Sequence, residues 1–545
     1  MKKPCYLFVV GGVMSGVGKG TAVAALGQTL KARGFTITAL KIDPYVNVDA
    51  GTMNPLEHGE VFVTKDGDET DQDIGTYERF LGLEITKINY MTTGRVYQAV
   101  IDRERALGYG GKCVEVVPHV PEEVIRRIEA ATKLAKAEIA IIEIGGTVGE
   151  YQNILFLEAA RMMQVRHRGR VKIILVSYLP VPGSIGEMKT KPTQTAVRTL
   201  NATGLSPDFV VARGPVSIDR PRQQKIADFC QVPWDHIIAA PDVKSIYDVP
   251  ELFEKQNFSK KVLTSLKLPL RPLAKPLWRS YLKQKAAASG TVVVGVVGKY
   301  FSTGDFILSD VYLSVIEAIK HAAVANGVGL ELRWLNPEAY EKSSGAINEL
   351  KEVDALIVPG GFGNRGVEGK LKAIRFAREN KLPFLGLCYG MQAAVIEFSR
   401  NVAKLKFANT TEIMPNTPQP VIDLLAGQHS NLQNGRLGGT LRLGEYPCEL
   451  SPNSLAAKLY GTNKIKERHR HRYEFNVDYA DKLQGVGMVL SGTSPDGKLV
   501  EIIELPEHPF FIGVQFHPEF LSKPLAPHPL FNGLITAAKK TSQSR

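Results

Sequence analysis

The fold of the second half of this chain is decided by the stretch LPFLGLCYGMQAAVIEF, residues 382–398. Its apolar run up to Leu387 predicts a buried strand, and the run that starts at Met391 predicts a helix. Between them, the Gly-x-Cys-x-Gly spacing is the layout of a nucleophile elbow, with Cys388 in place of the usual serine. A thiol at this turn lies at a helix N-terminus, where the backbone dipole favours the thiolate.

A second apolar run, Phe510 to Phe516, ends at His517. In that position His517 can act as general base for Cys388, and Glu519 can orient the imidazole. The alternative is a buried structural cysteine with two unrelated polar residues, but it requires both spacings to be coincidences. The segment resembles the class I glutamine amidotransferases, which release ammonia from glutamine through a cysteine thioester.

The chain has 545 residues, of which 44% are hydrophobic and 22% charged. That composition is typical of a soluble globular protein with roughly two to four domains. No apolar stretch reaches the length of a membrane span, and the first apolar segment runs into a glycine-rich loop, which predicts a strand and not a signal peptide. The cysteines, at positions 5, 113, 230, 388 and 448, favour a reducing cytoplasm over a disulfide scaffold or a zinc site.

The net charge of +12 raises the question of a nucleic-acid partner. No basic tail or aromatic-interleaved basic motif supports one, and basic residues around nucleotide triphosphates account for some of the excess. The densest basic run is Arg468 to Arg472, in the amidotransferase half. We expect this run to serve anion binding or a domain contact, and we expect no nucleic-acid or membrane partner.

Short apolar runs alternate with helical periodicity over the first ~270 residues, which is the pattern of a parallel α/β sheet. The predicted strands are Tyr6–Val10, Thr36–Ile42, Ile139–Ile144, Lys172–Ser177 and Asp208–Ala212. The predicted helices include Thr21–Arg33, Pro121–Lys136 and Gln223–Phe229. A second series begins with strand Val292–Val297 and includes Ala355–Val358, which leads into PGGFG at 359–363. Those glycines suit backbone N–H groups that approach an oxyanion closely.

The stretch between the two series is rich in Pro, Lys and Ala and predicts an interdomain linker. The chain therefore divides into an N-terminal domain of residues 1–266, a linker of residues 267–290 and a C-terminal domain of residues 291–545. Both domains are predicted to be α/β with Rossmann-like parallel sheets. The polar stretch Asn416–Arg436 is predicted to be a surface loop.

A glycine-rich loop, GGVMSGVGKGT at residues 11–21, lies between the first predicted strand and a helix. Backbone amides of such a loop cradle phosphates, the lysine reaches the β and γ oxygens, and the helix N-terminus adds a positive dipole. Its spacing differs from the common P-loop, because Gly12 and Gly18 are one residue further apart and Gly20 replaces the hydroxyl residue. It resembles the deviant P-loop of amidoligases, and the place of Lys19 disfavours a merely structural turn.

Acidic residues in the first half are candidate metal ligands. Asp71 and Asp73 lie in the polar segment ETDQD, which a solvated acidic loop explains equally well. Glu143 interrupts an apolar strand, where an ionised group is costly without a partner. Carboxylates at the carboxyl ends of parallel strands near a P-loop are typical Mg²⁺ ligands. The loop KTKPTQ at 189–194 offers two lysines and two hydroxyls to a triphosphate, although a solvated loop is the default for such a composition.

Together these motifs closely resemble the CTP synthase family, from Lys2 to about Ala538. The matching stretches are GGVMSGVGKG at 11–20, KIDPY at 41–45, DAGTMNP at 49–55, HGEVFV at 58–63, ETDQD at 69–73, EIGGTVG at 143–149, KTKPTQ at 189–194, PGGFG at 359–363 and Cys388. The resemblance implies amination of UTP to CTP with ATP, Mg²⁺ and glutamine, and GTP as allosteric activator. It also implies a role in de novo pyrimidine nucleotide biosynthesis.

The reaction that the resemblance implies is chemically consistent with these parts. O4 of uracil is a poor leaving group, and its phosphorylation by ATP lets ammonia displace phosphate. Ammonium dominates at neutral pH and is not nucleophilic, so ammonia from the Cys388 site is expected to pass through a tunnel. The family further implies a homotetramer, filaments in some members and CTP as a feedback inhibitor.

The resemblance assigns residues to four sites. For ATP it implies Ser15, Gly16, Val17, Gly18, Lys19, Gly20, Lys41, Asp73, Asp242 and Val243, and for Mg²⁺ it implies Asp73 and Glu143. For UTP and CTP it implies Ser15, Glu150, Tyr151, Gln152, Lys189, Thr190, Lys191, Pro192, Thr193, Gln194 and Lys225. For glutamine it implies Gly361, as the oxyanion N–H, with Tyr389, Gly390, Met391, Gln392, Glu412 and Arg472.

This sequence departs from the family in a few places. Glu150-Tyr151-Gln152 stands where the family has Asp-Ile-Glu, in the part that reads the product nucleotide, so we expect weaker CTP feedback. Gly16 replaces a serine, Tyr389 follows the nucleophile where leucine is usual, and the PVPG sequence at 180–183 is unusual. None of these departures touches the catalytic core.

Two other functions compete with this interpretation. A cobyric-acid-type amidoligase also joins a P-loop domain to an amidotransferase, but it has no need for the KTKPTQ loop. A scaffold or filament protein that has kept the fold is the non-enzymatic alternative, and the intact Cys388, His517 and Glu519 argue against it.

Overall fold

The structure is a computed structural model that describes residues 3–184, 186–274, 277–298, 302–303, 306–307, 309–343, 345–361, 363–425, 427–428 and 438–544. The chain forms two compact units. The first contains Met1–Ala50 and Asp73–Leu277, and the second contains Gly51–Gln72 and Trp278–Arg545.

The strands in chain order are β1 Cys5–Gly12, β2 Ile37–Asp43, β3 Val61–Val63, β4 Glu69–Asp71, β5 Tyr90–Thr92, β6 Ile139–Ile144, β7 Val171–Tyr178, β8 Phe209–Gly214, β9 Ile237–Pro241, β10 Thr291–Val297, β11 Ser302–Thr303, β12 Phe306–Ile307, β13 Gly329–Leu335, β14 Ala355–Val358, β15 Phe384–Leu387, β16 Ala408–Thr410, β17 Gln419–Leu424, β18 Arg442–Leu450, β19 Lys464–His471, β20 Tyr473–Phe475, β21 Val489–Thr493, β22 Val500–Glu504 and β23 Phe511–Val514. The helices are α1 Lys19–Ala32, α2 Pro55–His58, α3 Gln72–Leu81, α4 Thr93–Arg105, α5 Val116–Leu134, α6 Ile154–Arg166, α7 Lys191–Ala202, α8 Arg220–Cys230, α9 Val249–Lys255, α10 Phe258–Ser265, α11 Leu277–Ala286, α12 Leu313–Ala325, α13 Pro337–Lys342, α14 Val367–Glu379, α15 Tyr389–Asn401, α16 Leu455–Tyr460, α17 Ala480–Gln484 and α18 Pro529–Ser544.

The first unit is built on a parallel seven-stranded sheet in the order β5-β2-β6-β1-β7-β8-β9. Its central strands are buried along their whole length, as β1 and β6 show, because helices cover both faces of a parallel sheet. The carboxyl ends of these strands meet at one edge, where an open parallel sheet binds its ligands. The prediction of an α/β fold with a parallel sheet is confirmed here.

The second unit is built on a nine-stranded sheet in the order β13-β10-β14-β15-β23-β22-β21-β18-β19. The strands from β13 to β23 pair in parallel, and those from β23 to β19 pair antiparallel. The α/β class is confirmed for this unit as well. Its antiparallel half was not foreseen, because those strands carry charged residues and lack the continuous apolar runs of a buried parallel strand.

A hairpin from early in the chain belongs to the second unit. Strands β3 and β4 pair antiparallel and pack against elements near the C-terminus. Glu60 caps the start of α12, accepting from the backbone N–H of Ser314 at 3.0 Å and from its hydroxyl. The ring of Phe62 meets that of Phe520 edge to face, 4.9 Å between centroids. The sequence-based boundary at residue 266 does not anticipate this exchange.

Both the predicted linker and the predicted surface loop contain regular structure. Helix α11 lies inside the predicted linker of residues 267–290, because its leucines, lysines, arginine and glutamine are good helix formers once the prolines are passed. Strand β17 lies inside the predicted surface loop Asn416–Arg436, so that prediction is wrong for its first part, while residues 426 and 429–436 lie outside the described residues. Within the described part of the chain, no helix combines the length and apolarity that a bilayer crossing requires.

Candidate functional sites in the two units

The nucleophile elbow forms as the sequence predicts. Strand β15 ends at Leu387, and α15 starts at Tyr389. Cys388 joins them with φ of 51° and ψ of −103°, a backbone conformation that side chains rarely adopt and that costs about 1–3 kcal/mol. Its amide is held by a 2.7 Å hydrogen bond to the carbonyl of Val514. The strain presents the thiol at the carboxyl edge of the sheet.

The glycine after the nucleophile is required by close packing. A Cβ atom at Gly390 would lie 2.0 Å from the carbonyl oxygen of Val358, the last residue of β14. The chain after β14 carries Gly360 and Gly361, which line a cavity of about 80 Å³ together with Cys388 and His517. Phe362, the next residue of the predicted oxyanion loop, lies outside the described residues.

His517 and Glu519 complete the predicted catalytic group. His517 is buried, and its Nδ1 lies 2.7 Å from Oε1 of Glu519. Burial on its own lowers the pKa of His517, but the Glu519 carboxylate and the Cys388 sulfur outweigh it and raise that pKa from 6.5 to about 10. With Nδ1 engaged by Glu519, the Nε2 atom is left to exchange a proton on the side of Cys388.

The predicted glutamine residues are dispersed around the elbow. Glu412 accepts a 2.8 Å hydrogen bond from the amide of Gly363, and Arg472 donates to Gln428 at 2.6 Å and to Thr440 at 2.9 Å. These contacts hold one carboxylate and one guanidinium in place within the second unit, and such charges can pair with the amino and carboxylate groups of an amino acid.

Two predicted glutamine residues point their side chains elsewhere. Met391 belongs to the apolar core beneath α15, and Tyr389 is buried with Lys370 over its ring at 4.9 Å from the centroid. The side chains of Tyr389 and Met391 therefore pack within the protein.

Gln515 is a residue of this site that sequence reasoning missed. Its fully buried carboxamide donates to Cys388 Sγ at 3.7 Å and accepts from Gln392 Nε2 at 3.2 Å. Gln392 also donates to the carbonyl of Tyr473 at 2.8 Å. The signal in the sequence is the polar residue at 515 inside an otherwise apolar run.

The glycine-rich loop of the first unit connects β1 to α1. Ser15 and Gly16 are exposed, Val17 is buried, and Gly18 with φ of 84° opens the helix. The Lys19 side chain is buried and donates to the carbonyl of Gly146 at 2.9 Å. Burial lowers the pKa of Lys19, and nearby Glu143 works in the opposite direction. The loop thus presents an ammonium group at the strand edge, as predicted.

Lys41 forms ion pairs with both predicted metal ligands, Asp73 and Glu143. Its ammonium lies 3.1 Å from Glu143 Oε1 and forms a shorter ion pair with Asp73. Tyr77, which sequence reasoning missed, donates its hydroxyl proton to Glu143. Burial, with the neighbouring charge of Asp73, raises the pKa of Glu143, which is only 1% exposed. Asp71, the other acidic candidate, belongs to β4 of the second unit.

A pocket of the first unit, about 190 Å³, adjoins the glycine-rich loop. Gly18, Asp242 and Val243 line it, as the resemblance implies. Arg213 at the end of β8 also lines it, donating to the Val17 carbonyl at 3.2 Å and to Asp242 at 3.1 Å. Arg213 was not predicted, because one charged residue after a strand carries no distinctive signal.

The KTKPTQ loop lies at the start of α7. Lys191 is exposed, Pro192 half-buried, and Lys189 pairs with Glu187 at 2.7 Å. Thr193 is fully buried, its hydroxyl 2.8 Å from that of Ser177. Gln194 donates to Thr190 at 3.2 Å, and Lys225 of α8 is exposed. The lysines and the helix start, but not Thr193, are therefore open to an anion.

The segment Glu150-Tyr151-Gln152 follows the turn after β6. Glu150 accepts from the amide and hydroxyl of Thr147, at 2.9 and 2.7 Å, and from Gln152 Nε2 at 3.1 Å. Partial burial alone would raise the pKa of Glu150, but these hydrogen bonds outweigh it and lower that pKa below its usual value. Tyr151 is 94% exposed, so its ring is open to a partner.

Each half of the chain matches a known protein family. The family "CTP synthase N-terminus" matches residues 5–268, and the family "Glutamine amidotransferase class-I" matches residues 307–537. Each of the two units therefore carries the core of one matched family.

Relatives cover almost the whole chain. A CTP synthase of Trichormus variabilis is 48% identical over 535 residues, which make up 98% of this chain and 96% of the relative. A CTP synthase of Prochlorococcus marinus is 49% identical over 541 residues, 99% of both chains. The solved Trypanosoma brucei CTPS glutaminase domain with bound acivicin is 36% identical, covers 46% of this chain and 94% of that domain, and has a TM-score of 0.43.

Proposed function

Because the chain belongs to the CTP synthase family, we propose that its two units together aminate UTP to CTP with nitrogen from glutamine. The enzyme is a ligase of pyrimidine nucleotide biosynthesis. The observation that carries the proposal is the strained Cys388 at the strand–helix turn, with His517 and Glu519 paired at 2.7 Å in the same unit.

In the glutaminase step, Cys388 Sγ attacks the side-chain carbonyl carbon of glutamine. The backbone N–H groups of Gly361 and Tyr389 receive the oxyanion. His517 Nε2 takes the thiol proton and passes it to the amide nitrogen, which leaves as ammonia when the C–N bond breaks, and Glu519 keeps the imidazole oriented through Nδ1. Water then hydrolyses the thioester to glutamate. The raised pKa of His517 supports an imidazolium that holds this proton until the leaving group needs it.

In the synthetase step, ATP phosphorylates O4 of UTP and ammonia displaces the phosphate. Lys19 and the glycine-rich loop bind the transferring phosphoryl group, and Arg213 with Asp242 and Val243 borders the adenine pocket. Lys189, Lys191 and Lys225 hold the UTP triphosphate. Ammonia reaches this step without release to bulk water, where it would be protonated.

Mg²⁺ fits the residues that surround Lys41. Asp73 and Glu143 offer hard carboxylate oxygens, the donor type that Mg²⁺ prefers. Bound there, Mg²⁺ supplies neutralising charge to the phosphates. The chain's own residues hold the carboxylates in place, because Lys41 pairs with both and Tyr77 donates to Glu143. GTP as allosteric activator belongs to the same proposal.

The decisive experiment mixes the purified protein with UTP, ATP, Mg²⁺ and glutamine and follows the absorbance change of CTP formation. We expect CTP to form only when UTP, ATP and Mg²⁺ are present together with a nitrogen source, either glutamine or ammonium. A cobyric-acid-type amidoligase would leave UTP unchanged, and a scaffold protein would leave both UTP and glutamine unchanged.

Weaker product feedback is expected from Gln152. A carboxylate at this position would accept hydrogen bonds from ribose hydroxyls with a full charge, and such bonds are about twice as strong as neutral ones. We therefore expect Gln152→Glu to tighten CTP inhibition by about 1 kcal/mol, roughly fivefold. The measurement is a CTP inhibition curve at fixed UTP, with Gln152→Ala as the uncharged control. Unchanged or weaker inhibition in the Glu variant would remove this position from feedback.

A homotetramer is proposed from the family alone, with filaments in some conditions. Light scattering under saturating ATP and UTP is expected to give four times the 59.8 kDa chain mass. A monomer under these conditions would contradict the assembly while leaving the proposed chemistry untouched.

A further inference from the structure

Two arginines of β19 hold the early hairpin in the second unit. Arg468 is 0% exposed and donates to the carbonyl of Val63 at 3.0 Å. Arg470 donates from Nε to Glu69 Oε1 at 2.8 Å and from Nη2 to the carbonyl of Gly51 at 3.3 Å. Alternate residues of a strand share one face, so both side chains reach the same segment, residues 51–72.

The same two arginines touch the catalytic residues through their main chain. The carbonyl of Arg468 accepts the backbone N–H of His517 at 2.8 Å. The carbonyl of Arg470 accepts from Cys388 Sγ at 3.7 Å. Strand β19 therefore contacts residues 51–72 through its arginine side chains and contacts Cys388 and His517 through its backbone carbonyls.

Residues 51–72 also form part of the wall of the glutaminase pocket. Pro55, Glu60 and Val61 line the cavity that contains Cys388, and so does Arg470. Residues 51–72 belong to the stretch that matches the CTP synthase N-terminus, and they lie in the unit that carries the amidotransferase core.

The Glu69–Arg470 pair has a fixed geometry. Glu69 is 2% exposed, and a Cβ atom added at Gly51 would lie 2.1 Å from its carboxylate. A buried ion pair of this kind contributes little net stability, but the loss of one partner leaves an uncompensated buried charge. Loss of the Glu69 carboxylate therefore destabilises the present position of the Arg470 guanidinium and, through it, of β19.

We propose that Arg470 is a positioning residue for the glutaminase step and that Glu69 fixes it. This inference rests on the proposed function, since it concerns the same Cys388 and His517. It adds a requirement that the triad alone does not contain: the hairpin of residues 51–72 must be seated for glutamine hydrolysis to run at full rate. A shift of about 1 Å at a catalytic group can cost about 10²-fold in rate.

The test is Glu69→Gln in the full-length chain, with steady-state glutamine hydrolysis and ammonium-supported CTP synthesis measured in parallel. We expect kcat for glutamine hydrolysis to fall about tenfold or more while KM stays within about twofold, because the glutamine contacts are not altered. Ammonium-supported synthesis is expected to stay near the wild-type rate. The matched control is Asp66→Asn, the same acid-to-amide change at an exposed position of the same hairpin, which should match wild type.

A double variant separates positioning from a loss of general stability. If Glu69 acts through Arg470, adding Arg470→Met to Glu69→Gln should cost no more in kcat than Arg470→Met alone. If Glu69→Gln does not fold, Glu69→Asp keeps the charge with shorter reach and should show a smaller loss in kcat. Wild-type kcat in the Glu69 variant, or equal loss of the glutamine and ammonium reactions, would overturn the inference. A wild-type protein without any glutamine hydrolysis would instead overturn the proposed function.

Discussion

Cys388→Ala is expected to abolish CTP formation from glutamine and to leave ammonium-supported synthesis near the wild-type rate. The thiol is the only covalent acceptor of the glutamyl group in the mechanism, and its loss typically costs at least about 10⁴-fold in such sites. The two reactions separate because Cys388 belongs to the second unit, while the glycine-rich loop and Lys41 belong to the first. CTP formation with each nitrogen source measures the difference directly.

Cys448→Ala is the matched control for that variant. It makes the same change at another buried cysteine of the second unit. Burial raises the pKa of the Cys448 thiol well above its usual value, and the proposed mechanism gives this thiol no role. Both nitrogen sources should still support synthesis in this variant. If the ammonium reaction died with Cys388→Ala as completely as the glutamine reaction, Cys388 would be needed for folding or for the synthetase step, and its assignment as nucleophile would be wrong.

Asp73→Asn is expected to give the opposite pattern: no CTP from either nitrogen source, while glutamine hydrolysis continues. The change removes one carboxylate charge of the proposed Mg²⁺ site and weakens the ion pair with Lys41. Loss of such a contact costs several kcal/mol at a phosphoryl-transfer transition state, about 10²–10³-fold or more in rate. Lys19→Ala and Glu143→Gln should behave alike.

Asp102→Asn on α4 is a suitable control, because it is the same substitution at an exposed position of the first unit. Thermal unfolding of each variant separates loss of function from loss of structure. Near-normal ammonium-dependent turnover in the Asp73 variant would remove that residue from the synthetase site. The pKa of Glu143 should fall in Asp73→Asn, since the neighbouring carboxylate is one of the causes that raise it.

The parallel strands and the elbow could be predicted because their signals are local. Strand β6 was predicted with its observed bounds, since a strand buried on both faces is a continuous apolar run. The elbow was predicted because glycine spacing and strand-to-helix order lie within a short stretch. The antiparallel strands β18 and β19 carry mixed polar and charged residues, and their pairing is not visible in either strand alone.

Contacts between distant residues set the limit of sequence reasoning. Arg470 and Glu69 lie 401 positions apart, and nothing local to either residue names the other. The basic run from Arg468 to Arg472 was expected to bind anions or make a domain contact. In the structure Arg468 and Arg470 hold the hairpin of residues 51–72 by contacts within the second unit. Arg213 and Tyr77 were not predicted for the same reason, since their contacts with Val17 and Glu143 join residues that are distant in the sequence.

The packing at Gly390 limits how this protein can diverge. The carbonyl of Val358 occupies the space of any side chain at that position, and Val358 leads directly into the glycines that line the Cys388 pocket. Alanine at position 390 would therefore push the Cys388 turn and the end of β14 apart. This close backbone contact ties the shape of the Cys388 turn to that of the glycine loop after β14.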